Sequence, residues 1–446
     1  MKSISRRKFL GDSALAASAA PIVAGALAAP FLPSARAGEP GPNEKVRLGL
    51  IGSGGMGQGD LECFFGNPEV DCVVVCDVDD AQIAKGVQIC EQRRGKKPDT
   101  VKDFRRVLDR PDVDVVLIAT PDHWHALPTV LACQAGKDVY VEKPLAKSID
   151  EGRAMLEAAK RHNRVVQMGS QWRSCRHIQE AAAFVRSGKL GKVSLVRGWT
   201  YLDWLHSVGN PPDGAPPASV DYNFWLGPAP ARPFNPNRFH FNFRWFWDYA
   251  GGLMTDWGVH LLNMMLMGMG PEPPRTAASS GGKYVFDDAE ETPDSQVTVY
   301  EFPSYMLVWE HKAGLGVGIN NRPWGVSWAG TEGTIIVNDA GWELVIERRA
   351  GNLEPAKHPG TGDPRPAHVR NFLDCVKSRQ QPDLNLEIAH HVSTVAHLGN
   401  LAYRSGHKIT WNAEQEKIVG DPAADALVGA PYRAPWKLPY RRRAEA

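Results

Sequence analysis

Between residues 46 and 169, short apolar runs alternate with stretches in which apolar residues recur at helical spacing. This alternation is typical of βαβ units, which build a parallel sheet with helices on its faces. Strands are predicted at Val46–Ile51, Val70–Cys76, Val113–Ala119, Asp138–Val141 and Val165–Met168. Helices are predicted at Gly57–Phe65, Asp80–Gln92, Ala126–Ala135 and Ile149–Arg161. The pattern therefore predicts an α/β domain, a doubly wound Rossmann parallel sheet, over residues 38–169.

The pattern changes after residue 170. A helix is predicted at Arg173–Ser187 and a strand at Val193–Tyr201, and an aromatic- and proline-rich segment follows from Leu202 to Tyr249. Its aromatic density favours an ordered, functional role. Runs of alternating polarity follow at Gln296–Phe302, Tyr305–Lys312, Gly325–Ala329, Thr334–Asn338 and Glu343–Arg348. Helices are predicted at Pro366–Ser378 and Leu386–Ser405. Together, the alternating runs and these helices indicate an α+β domain with an antiparallel sheet over residues 170–446.

The composition restricts the class of partner. The chain has 446 residues, which exceeds the size of about 250–300 residues at which single cores stop growing, so at least two domains are expected. Lys and Arg number 51 against 50 Asp and Glu, so no net charge attracts nucleic acid or an anionic membrane. The seven cysteines are scattered without zinc-site spacing, and no metal site is predicted. A small-molecule partner is expected.

The first residues resemble an export signal. Arg6 and Arg7 precede a run rich in alanine from Ala14 to Ala29 that contains Pro21. This arrangement resembles a twin-arginine signal peptide, and cleavage fits after Ala37. Residues 1–37 are therefore predicted to direct the protein through the twin-arginine (Tat) translocon to the periplasm or cell envelope. The alternative is that the segment stays attached as a membrane anchor.

A glycine-rich turn follows the first predicted strand. Residues 52–57 read Gly-Ser-Gly-Gly-Met-Gly and open a predicted helix. In this context the glycines permit a tight turn and close approach of the backbone to a pyrophosphate at the helix N-terminus. Asp77 ends the second strand, where an acid meets the ribose hydroxyls and repels a 2′-phosphate. NAD is therefore predicted rather than NADP, and the predicted cofactor-binding residues here are Gly52, Gly54, Gly55, Met56, Gly57 and Asp77.

Further polar residues follow two other predicted strands. Lys143 comes after the strand Asp138–Val141, and in open α/β sheets ligands bind beyond the carboxyl ends of strands. The remaining predicted cofactor-binding residues at strand ends are Thr120, Pro121, His125 and Glu142, with Lys143. Each has an ordinary structural explanation when taken alone, such as a solvated loop charge. Together they place an ammonium group beside the predicted dinucleotide.

A polar stripe also crosses an apolar helix. Asp256 and His260 are four residues apart on one face of the predicted helix, and Asn263 continues the stripe. Oxidation of an alcohol with nicotinamide needs a group that takes the hydroxyl proton and a cation that stabilises the developing alkoxide. An imidazole and the Lys143 ammonium meet that need. The set predicts catalytic residues Lys143, Asp256 and His260.

Several motifs in this order resemble the Gfo/Idh/MocA family of dehydrogenases. They are GSGGMG, TPDHWHA, VEKPLA, GGLMTDWGVHLLN, HVRNFLDCVKS and HLGNLAYRSG. The resemblance implies a Rossmann domain and a C-terminal domain whose open, largely antiparallel sheet often forms homo-oligomers. It implies that His260 is the acid/base, that Lys143 orients the reacting hydroxyl, and that Asp256 binds a neighbouring hydroxyl.

Candidate substrate-binding residues surround this helix. They are Arg173, His177, Trp245, Asp256 and Asn263. Aromatic residues such as Trp204 add flat faces that suit stacking on sugar C–H bonds, although large aromatics more often fill a core. A solvated helix face is the ordinary alternative for Arg173 and His177.

The leading hypothesis is an exported oxidoreductase that acts on a secondary hydroxyl of a sugar or polyol and keeps its NAD bound. Retention is expected because no obvious pool of free NAD exists outside the cytoplasm. One alternative is redox-neutral glycoside cleavage through transient oxidation, which needs an extra base such as Tyr201, His206 or His240. A non-catalytic sugar-binding or nucleotide-binding module is the second alternative, and it leaves Lys143, Asp256 and His260 unexplained.

Overall fold

The computed structural model describes residues 45–348, 351 and 353–441. The predicted signal peptide, residues 1–37, lies outside this range, so export remains a prediction. Among the described residues, no helix has both the length and the apolar character needed to cross a bilayer. All seven cysteines are free, and six of them are buried.

Parallel strands form the first sheet, as predicted. The six-stranded order is β3-β2-β1-β4-β5-β6, and the pairs β1/β2, β1/β4, β4/β5, β5/β6 and β2/β3 are all parallel. The strands are β1 (Val46–Ile51), β2 (Val70–Cys76), β3 (Asp99–Val101), β4 (Val115–Ile118), β5 (Asp138–Glu142) and β6 (Val166–Gly169). The central strands are apolar because helices cover both faces, and Leu48 and Leu50 are fully buried.

Helices cover this sheet on both sides. They are α1 (Gly55–Phe65), α2 (Asp80–Arg94), α3 (Arg105–Leu108), α4 (Ala126–Gln134) and α5 (Ile149–His162). Local chemistry fixes their starts: the Asp79 side chain accepts from Ala81 N at α2, and Ser148 and Glu151 form a capping box at α5. The predicted Rossmann architecture is confirmed.

A ten-stranded sheet forms the rest of the fold in the order β14-β13-β12-β11-β7-β10-β9-β8-β15-β16. Its strands are β7 (Leu195–Leu202), β8 (Thr276–Gly282), β9 (Ser295–Glu301), β10 (Met306–Ala313), β11 (Trp324–Ala329), β12 (Gly333–Asn338), β13 (Gly341–Ile346), β14 (Ala356–Pro359), β15 (Ile409–Asn412) and β16 (Lys417–Val419). The pair β7/β10 is parallel and the other pairs are antiparallel. The predicted, mostly antiparallel sheet is confirmed.

Further helices accompany this sheet, and some of them pack directly on it. They are α6 (Arg176–Arg186), α7 (Tyr222–Leu226), α8 (Gly252–Asp256), α9 (Gly258–Met269), α10 (Arg365–Ser378), α11 (Leu386–Ser405) and α12 (Pro422–Ala426). The core beneath α9 contains Trp309 and Trp328, both fully buried. The Trp328 Nε1 donates to the Met265 carbonyl on α9 over 3.1 Å, which ties the helix to the sheet.

The predicted single helix around Asp256 is two helices, α8 and α9, separated at Trp257. The backbone tightens there, because His260 N donates to Trp257 O, three residues back, over 3.1 Å. Trp257 nevertheless keeps right-handed helical angles. Asp256 and His260 therefore remain about one turn apart, and the predicted common face survives the break.

Residues 203–251, here called the roof segment, connect β7 to α8 and reach across to the Rossmann sheet. The Asp80 N donates to Ser219 O over 3.2 Å, and Asp221 N donates to Val78 O over 3.0 Å. Further along, His240 Nε2 lies 2.9 Å from an oxygen of Asp79. The predicted ordered role of the aromatic segment is consistent with these contacts, since most of its large side chains pack together in one buried cluster.

The C-terminal tail returns to the Rossmann half. The Trp436 ring packs edge to face on Trp124 with centroids 4.9 Å apart, and the Arg105 guanidinium lies 5.5 Å from the centroid of the Trp436 ring. A buried ion pair joins Arg441 to Asp150 with Nε–Oδ2 at 2.5 Å. The irregular tail thus packs against the Rossmann half at Trp124 and Asp150.

Candidate active site

The glycine turn after β1 is shaped to accept a ligand. Gly52 has φ +89, and a Cβ there would lie 2.8 Å from the Ala119 carbonyl carbon; a Cβ on Gly57 would lie 2.0 Å from Gly52 O. Gly52 therefore lets the loop pass close to the end of β4, and Gly57 lets the start of α1 pack on the end of β1. A Cβ on Gly54 or Gly55 would meet no protein atom within 4 Å. The open space above these two residues is a cradle for a pyrophosphate at the N-terminus of α1.

The acid at the end of β2 is held by the glycine loop. Asp77 accepts from Ser53 N over 2.8 Å and from Asp79 N over 3.1 Å. Burial raises the pKa of Asp77 above its ordinary value, although these two backbone donors oppose the shift. Asp77 and Met56 line the same cavity as the glycines. The predicted ribose-binding end is thus continuous with the predicted pyrophosphate cradle.

The residues predicted at two other strand ends divide between the cavity and its support. Thr120, Pro121 and Glu142 line the cavity. Burial and the nearby Asp60 carboxyl raise the pKa of Glu142 well above its ordinary value, which favours its neutral form. His125 does not line the cavity. Its ring nitrogens lie 2.6 Å from Pro144 O and 2.8 Å from Thr120 O. Its position suits holding these two loops together rather than touching the cofactor.

An ion pair lies at the far end of the cavity. The Lys143 Nζ donates to Asp256 Oδ1, and Arg244 Nε lies 3.4 Å from the same oxygen. Burial alone would raise the pKa of Asp256, but the charges of Lys143 and Arg244 lower it below its ordinary value. Asp256 is therefore ionised at neutral pH, and it fixes the position of the Lys143 ammonium in the cavity.

His260 lies beside this pair and is fixed by a hydroxyl. Its Nδ1 is 3.0 Å from Ser170 Oγ, and its Nε2 has no hydrogen-bond partner among the residues that the structure describes. Burial, followed by the charge of Lys143, lowers the pKa of His260 to about 3, while Asp256 opposes the shift. The imidazole is therefore neutral at neutral pH, with one nitrogen held and one available.

A chain of polar contacts supports the histidine from behind. Asn263 Nδ2 donates to Ser170 Oγ over 3.3 Å, and Arg173 Nη1 donates to Asn263 Oδ1 over 3.0 Å. The Arg173 Nε donates to Asp383 O over 2.6 Å. The predicted substrate-binding residues Arg173 and Asn263 are thus brought to His260, but they occupy the network behind the ring.

Two predicted substrate-binding residues lie away from the cavity. His177 is fully buried; its Nε2 is 2.8 Å from Asn338 O and its Nδ1 accepts from Thr361 N over 3.0 Å. Trp245 is buried in the aromatic cluster of the roof segment. Neither lines the cavity described above. Both have a structural role, because the ring nitrogens of His177 are hydrogen-bonded to protein atoms and the Trp245 ring packs among apolar side chains.

One cavity, of about 490 Å³, is lined by both the glycine loop and the Lys143–Asp256 ion pair, and His260 lies next to this ion pair but is not among the lining residues. The cavity runs from the glycine loop and Asp77 to Lys143 and Asp256, with His240, Phe241 and Arg244 of the roof segment on one side. Such an elongated cleft at the carboxyl ends of parallel strands is the place where α/β folds bind dinucleotides. No group of three or more potential metal ligands occurs among the described residues.

Comparison with known proteins decides the family. A model described as an oxidoreductase family with an NAD-binding Rossmann fold matches residues 46–170, and its C-terminal alpha/beta domain matches residues 177–273 and 356–438. The chain belongs to the Gfo/Idh/MocA family. The predicted family, the fold class and NAD as the cofactor of this Gfo/Idh/MocA fold are confirmed.

Two of the relatives that this chain matches bear the names of sugar enzymes. Levoglucosan dehydrogenase from Pseudarthrobacter phenanthrenivorans is 30% identical over 176 residues, which are 38% of this chain and 44% of that protein. Alpha-N-acetylgalactosaminidase from Shewanella oneidensis is 29% identical over 154 residues, 34% of each chain. This Gfo/Idh/MocA chain therefore aligns with less than half the length of these curated relatives.

Solved structures show the same fold over a longer span. Levoglucosan dehydrogenase in complex with NADH and L-sorbose is 18% identical, with a TM-score of 0.65 over 82% of this chain and 99% of that chain. Aldose-aldose oxidoreductase from Caulobacter crescentus, complexed with glycerol, is 19% identical with a TM-score of 0.63 and the same coverage. At these identities the likeness establishes the Gfo/Idh/MocA fold alone.

Several residues of this Gfo/Idh/MocA site escaped the sequence analysis. Arg244 and Ser170 contact Asp256 and His260 directly, and Asp122, whose pKa burial raises to about 7, lines the cavity. Arg244 is an arginine inside an otherwise aromatic run, and Ser170 directly follows strand β6. Position after a strand end was the signal that found Lys143, and applied to β6 it would have found Ser170 as well.

The residues considered as an extra base occupy different places. The Tyr201 hydroxyl donates to Glu310 over 2.6 Å. Gly198 on the same strand faces Met265 of α9, and Tyr201, three residues further along, lies on the opposite face of the sheet. Tyr201 therefore points to the sheet face away from the site. His206 is exposed, whereas His240 lines the cavity and contacts Asp79. Of the three, only His240 borders the cavity, at the end that Asp77 defines.

Proposed function

We propose that this protein is an exported, NAD-dependent oxidoreductase that acts on a secondary hydroxyl of a sugar or polyol. The observation that carries the proposal is the contact of Lys143 with Asp256 beside His260, at the end of the same cavity that begins at the open glycine cradle. A cation and a carboxylate that line this cavity, with a neutral imidazole close enough to feel both charges, are the groups that alcohol oxidation needs.

The residues of the chain handle the proton and the charge. With the Nδ1 proton directed to Ser170, the Nε2 of His260 accepts the proton of the substrate hydroxyl. The Lys143 ammonium donates to the same oxygen and stabilises its negative charge as the carbonyl forms. Ionised Asp256 compensates the new imidazolium charge. It also accepts a hydrogen bond from a neighbouring hydroxyl, which holds the sugar in a single orientation.

The cradle fits the dinucleotide that the family implies. Backbone at Gly54 and Gly55 would hold the pyrophosphate, because the space above them is open, and Asp77 would accept from the ribose hydroxyls. When bound, the cofactor supplies the two-electron acceptor for the hydrogen that leaves the substrate carbon. The oxidation therefore balances: the hydroxyl loses its proton to His260, the substrate carbon loses a hydride, that is one proton with two electrons, and a ketone remains.

We further propose that the cofactor stays bound through successive turnovers. The roof segment supports this idea, because it meets the Rossmann half at two separate contacts: His240 contacts Asp79, and His123 N donates to Tyr249 O over 3.1 Å. A cofactor under such a roof dissociates only when these contacts open. Retention would suit a periplasmic enzyme, which has no obvious supply of free NAD.

Export itself rests on Arg6 and Arg7 and the alanine-rich run that follows them. Free, mostly buried cysteines support this route, because a chain without disulfides can fold in the cytosol before translocation. The test compares fractions of cells that express the full chain with those that express the Arg6→Lys, Arg7→Lys variant. Export predicts that the variant accumulates in the cytosol, and equal distribution of both proteins would contradict it.

The catalytic proposal is tested on the purified mature protein. Acid denaturation should release a nicotinamide dinucleotide, and adding sugars or polyols from a panel should change the nicotinamide absorbance of the native protein. Asp256→Asn serves as the site variant and His206→Gln as its exposed control. Bound dinucleotide that never changes its redox state with any sugar would favour the binding-module alternative.

A second candidate is redox-neutral glycoside cleavage. The alignment with alpha-N-acetylgalactosaminidase from Shewanella oneidensis is the observation that favours it. Transient oxidation at one sugar carbon acidifies the adjacent C–H bond, so elimination of the aglycone can follow and the cofactor is restored at the end. Release of the aglycone without lasting reduction of the bound cofactor indicates cleavage, whereas lasting reduction indicates a dehydrogenase half-reaction.

We also propose that copies of the chain associate through the open face of the second sheet. Val297 on β9 and Met306 on β10 lie on this face and are 42% and 47% exposed. Apolar side chains exposed on a large sheet face suit burial against a second copy. Light scattering of the wild type and a Val297→Lys variant tests this, and a monomeric wild type would overturn it.

A further inference from the structure

Two large aromatic side chains of the roof segment are exposed beside the cavity. Trp204 is 49% exposed and Phe241 is 50% exposed, whereas neighbours in the same segment such as Trp225 and Trp245 are almost completely buried. Exposed aromatic rings of this size have an energetic cost in water and commonly mark a binding surface. These two rings are therefore left open while the rest of the segment forms a core.

The pair is continuous with the groups proposed for catalysis. Phe241 lines the cavity, and its ring centroid is 6.3 Å from that of Trp204, with the planes inclined at 65°. The Arg244 guanidinium lies over the Phe241 ring at 4.5 Å, and its Nε is 3.4 Å from Asp256 Oδ1. One arginine thus links the carboxylate that meets the reacting sugar to the aromatic pair at the cavity mouth.

We propose that Trp204 and Phe241 form a second subsite, which holds a sugar ring adjacent to the one that reacts. The substrate class is then a glycoside or oligosaccharide of at least two rings rather than a free monosaccharide. This inference rests on the proposed function, because it takes the ring at Lys143 and Asp256 to be a sugar. Aromatic faces stack on the apolar C–H face of a pyranose, and Arg244 supplies directional donors to its hydroxyls.

The adenine ring of the cofactor is the other flat group that could stack here. The contacts of Phe241 argue against it, because the Arg244 guanidinium that covers this ring also lies 3.4 Å from Asp256, the carboxylate of the proposed reacting site. The end that Asp77 defines is instead bordered by His240 and Lys85. An experiment can distinguish the two assignments. Loss of adenine stacking would lower the amount of bound cofactor, whereas loss of sugar stacking would lower the preference for disaccharides over monosaccharides.

The test uses the mature protein with its bound cofactor. Glucose, galactose and N-acetylglucosamine are compared with cellobiose, maltose, lactose and N,N′-diacetylchitobiose, for the wild type, Trp204→Ala and Phe241→Ala. Tyr284→Ala is the matched control, because Tyr284 is 75% exposed and does not line the cavity. Each variant is measured for kcat and KM, for bound dinucleotide, and for disaccharide binding by calorimetry.

The subsite predicts that kcat/KM for the best disaccharide falls about tenfold more than for its monosaccharide in Trp204→Ala, through KM. Equal losses for both sugars, or loss of bound dinucleotide, would overturn it. A wild type that binds a disaccharide but never oxidises or cleaves it, with binding weakened in Trp204→Ala, supports the subsite and contradicts the proposed reaction. A wild type that binds no disaccharide overturns the subsite alone if a monosaccharide is oxidised.

Discussion

The neutral state of His260 should be visible in the stability of the protein. Burial and the charge of Lys143 lower its pKa to about 3, whereas a histidine in an unfolded chain has a pKa of about 6.5. Between these values only the unfolded chain binds the proton, so the unfolding free energy falls as the pH drops from about 6.5 towards about 3. The contribution of neutral His260 is complete above that window.

The size of the effect follows from the two pKa values. At about pH 5 the unfolded imidazole is almost fully protonated and the native one is not, which destabilises the native protein by about 2 kcal/mol. At about pH 7.5 the same contribution is close to zero. Replacing His260 with glutamine removes the titration and keeps a polar group near Ser170.

The assay is urea unfolding of wild type and His260→Gln at both pH values. The difference between the two unfolding free energies should shift in favour of the variant by about 2 kcal/mol from about pH 7.5 to about pH 5. The exposed-site variant His206→Gln should show no such shift. If His260→Gln behaves like His206→Gln, the imidazole is either hydrated or charged in the native protein, and the assignment of a neutral proton acceptor is wrong.

Three further outcomes are expected. Gly54→Ala should keep the melting temperature but lower the bound dinucleotide after purification, because its Cβ meets no protein atom, whereas Gly57→Ala should lower both, since its Cβ overlaps a backbone oxygen. Asp256→Asn should reduce kcat by about 10²-fold or more, because the amide no longer compensates Lys143, and unchanged turnover would contradict its role. Trp436→Ala should lower the unfolding free energy by about 2 kcal/mol in urea titrations, because the partly buried ring packs on Trp124 of the cavity wall. A change below about 1 kcal/mol would show that the tail contributes little.

Repeating patterns made most of the fold predictable. β1 and β2 were placed at their observed bounds, because long apolar runs bounded by turn residues have few alternative structures. The strands that were missed, β3, β8, β14, β15 and β16, are short, polar or rich in small residues, and several lie at sheet edges. Edge strands are stabilised by pairing with distant neighbours, which leaves little trace in their own residues.

The site was predictable where function follows chain position and less so where it depends on packing. Lys143 and Asp256 were found because one follows a strand and the other interrupts an apolar helix, and the structure joins them. Trp245 was chosen for its ring, but an indole is equally suited to a core, and only tertiary packing separates the two uses. Arg244 was missed because its partner Asp256 lies twelve residues further along the chain, and the irregular segment between them has no periodicity that predicts the contact.

The roof segment has a consequence for how this fold could be modified. A single stretch of 203–251 carries His240, which contacts Asp79, together with Phe241 and Arg244, which connect to Asp256. Its exchange between related proteins would alter the lifetime of the bound nucleotide and the length of accepted substrate in the same step. Designers who want to change one of these traits without the other should therefore mutate single side chains within the stretch and leave its backbone in place.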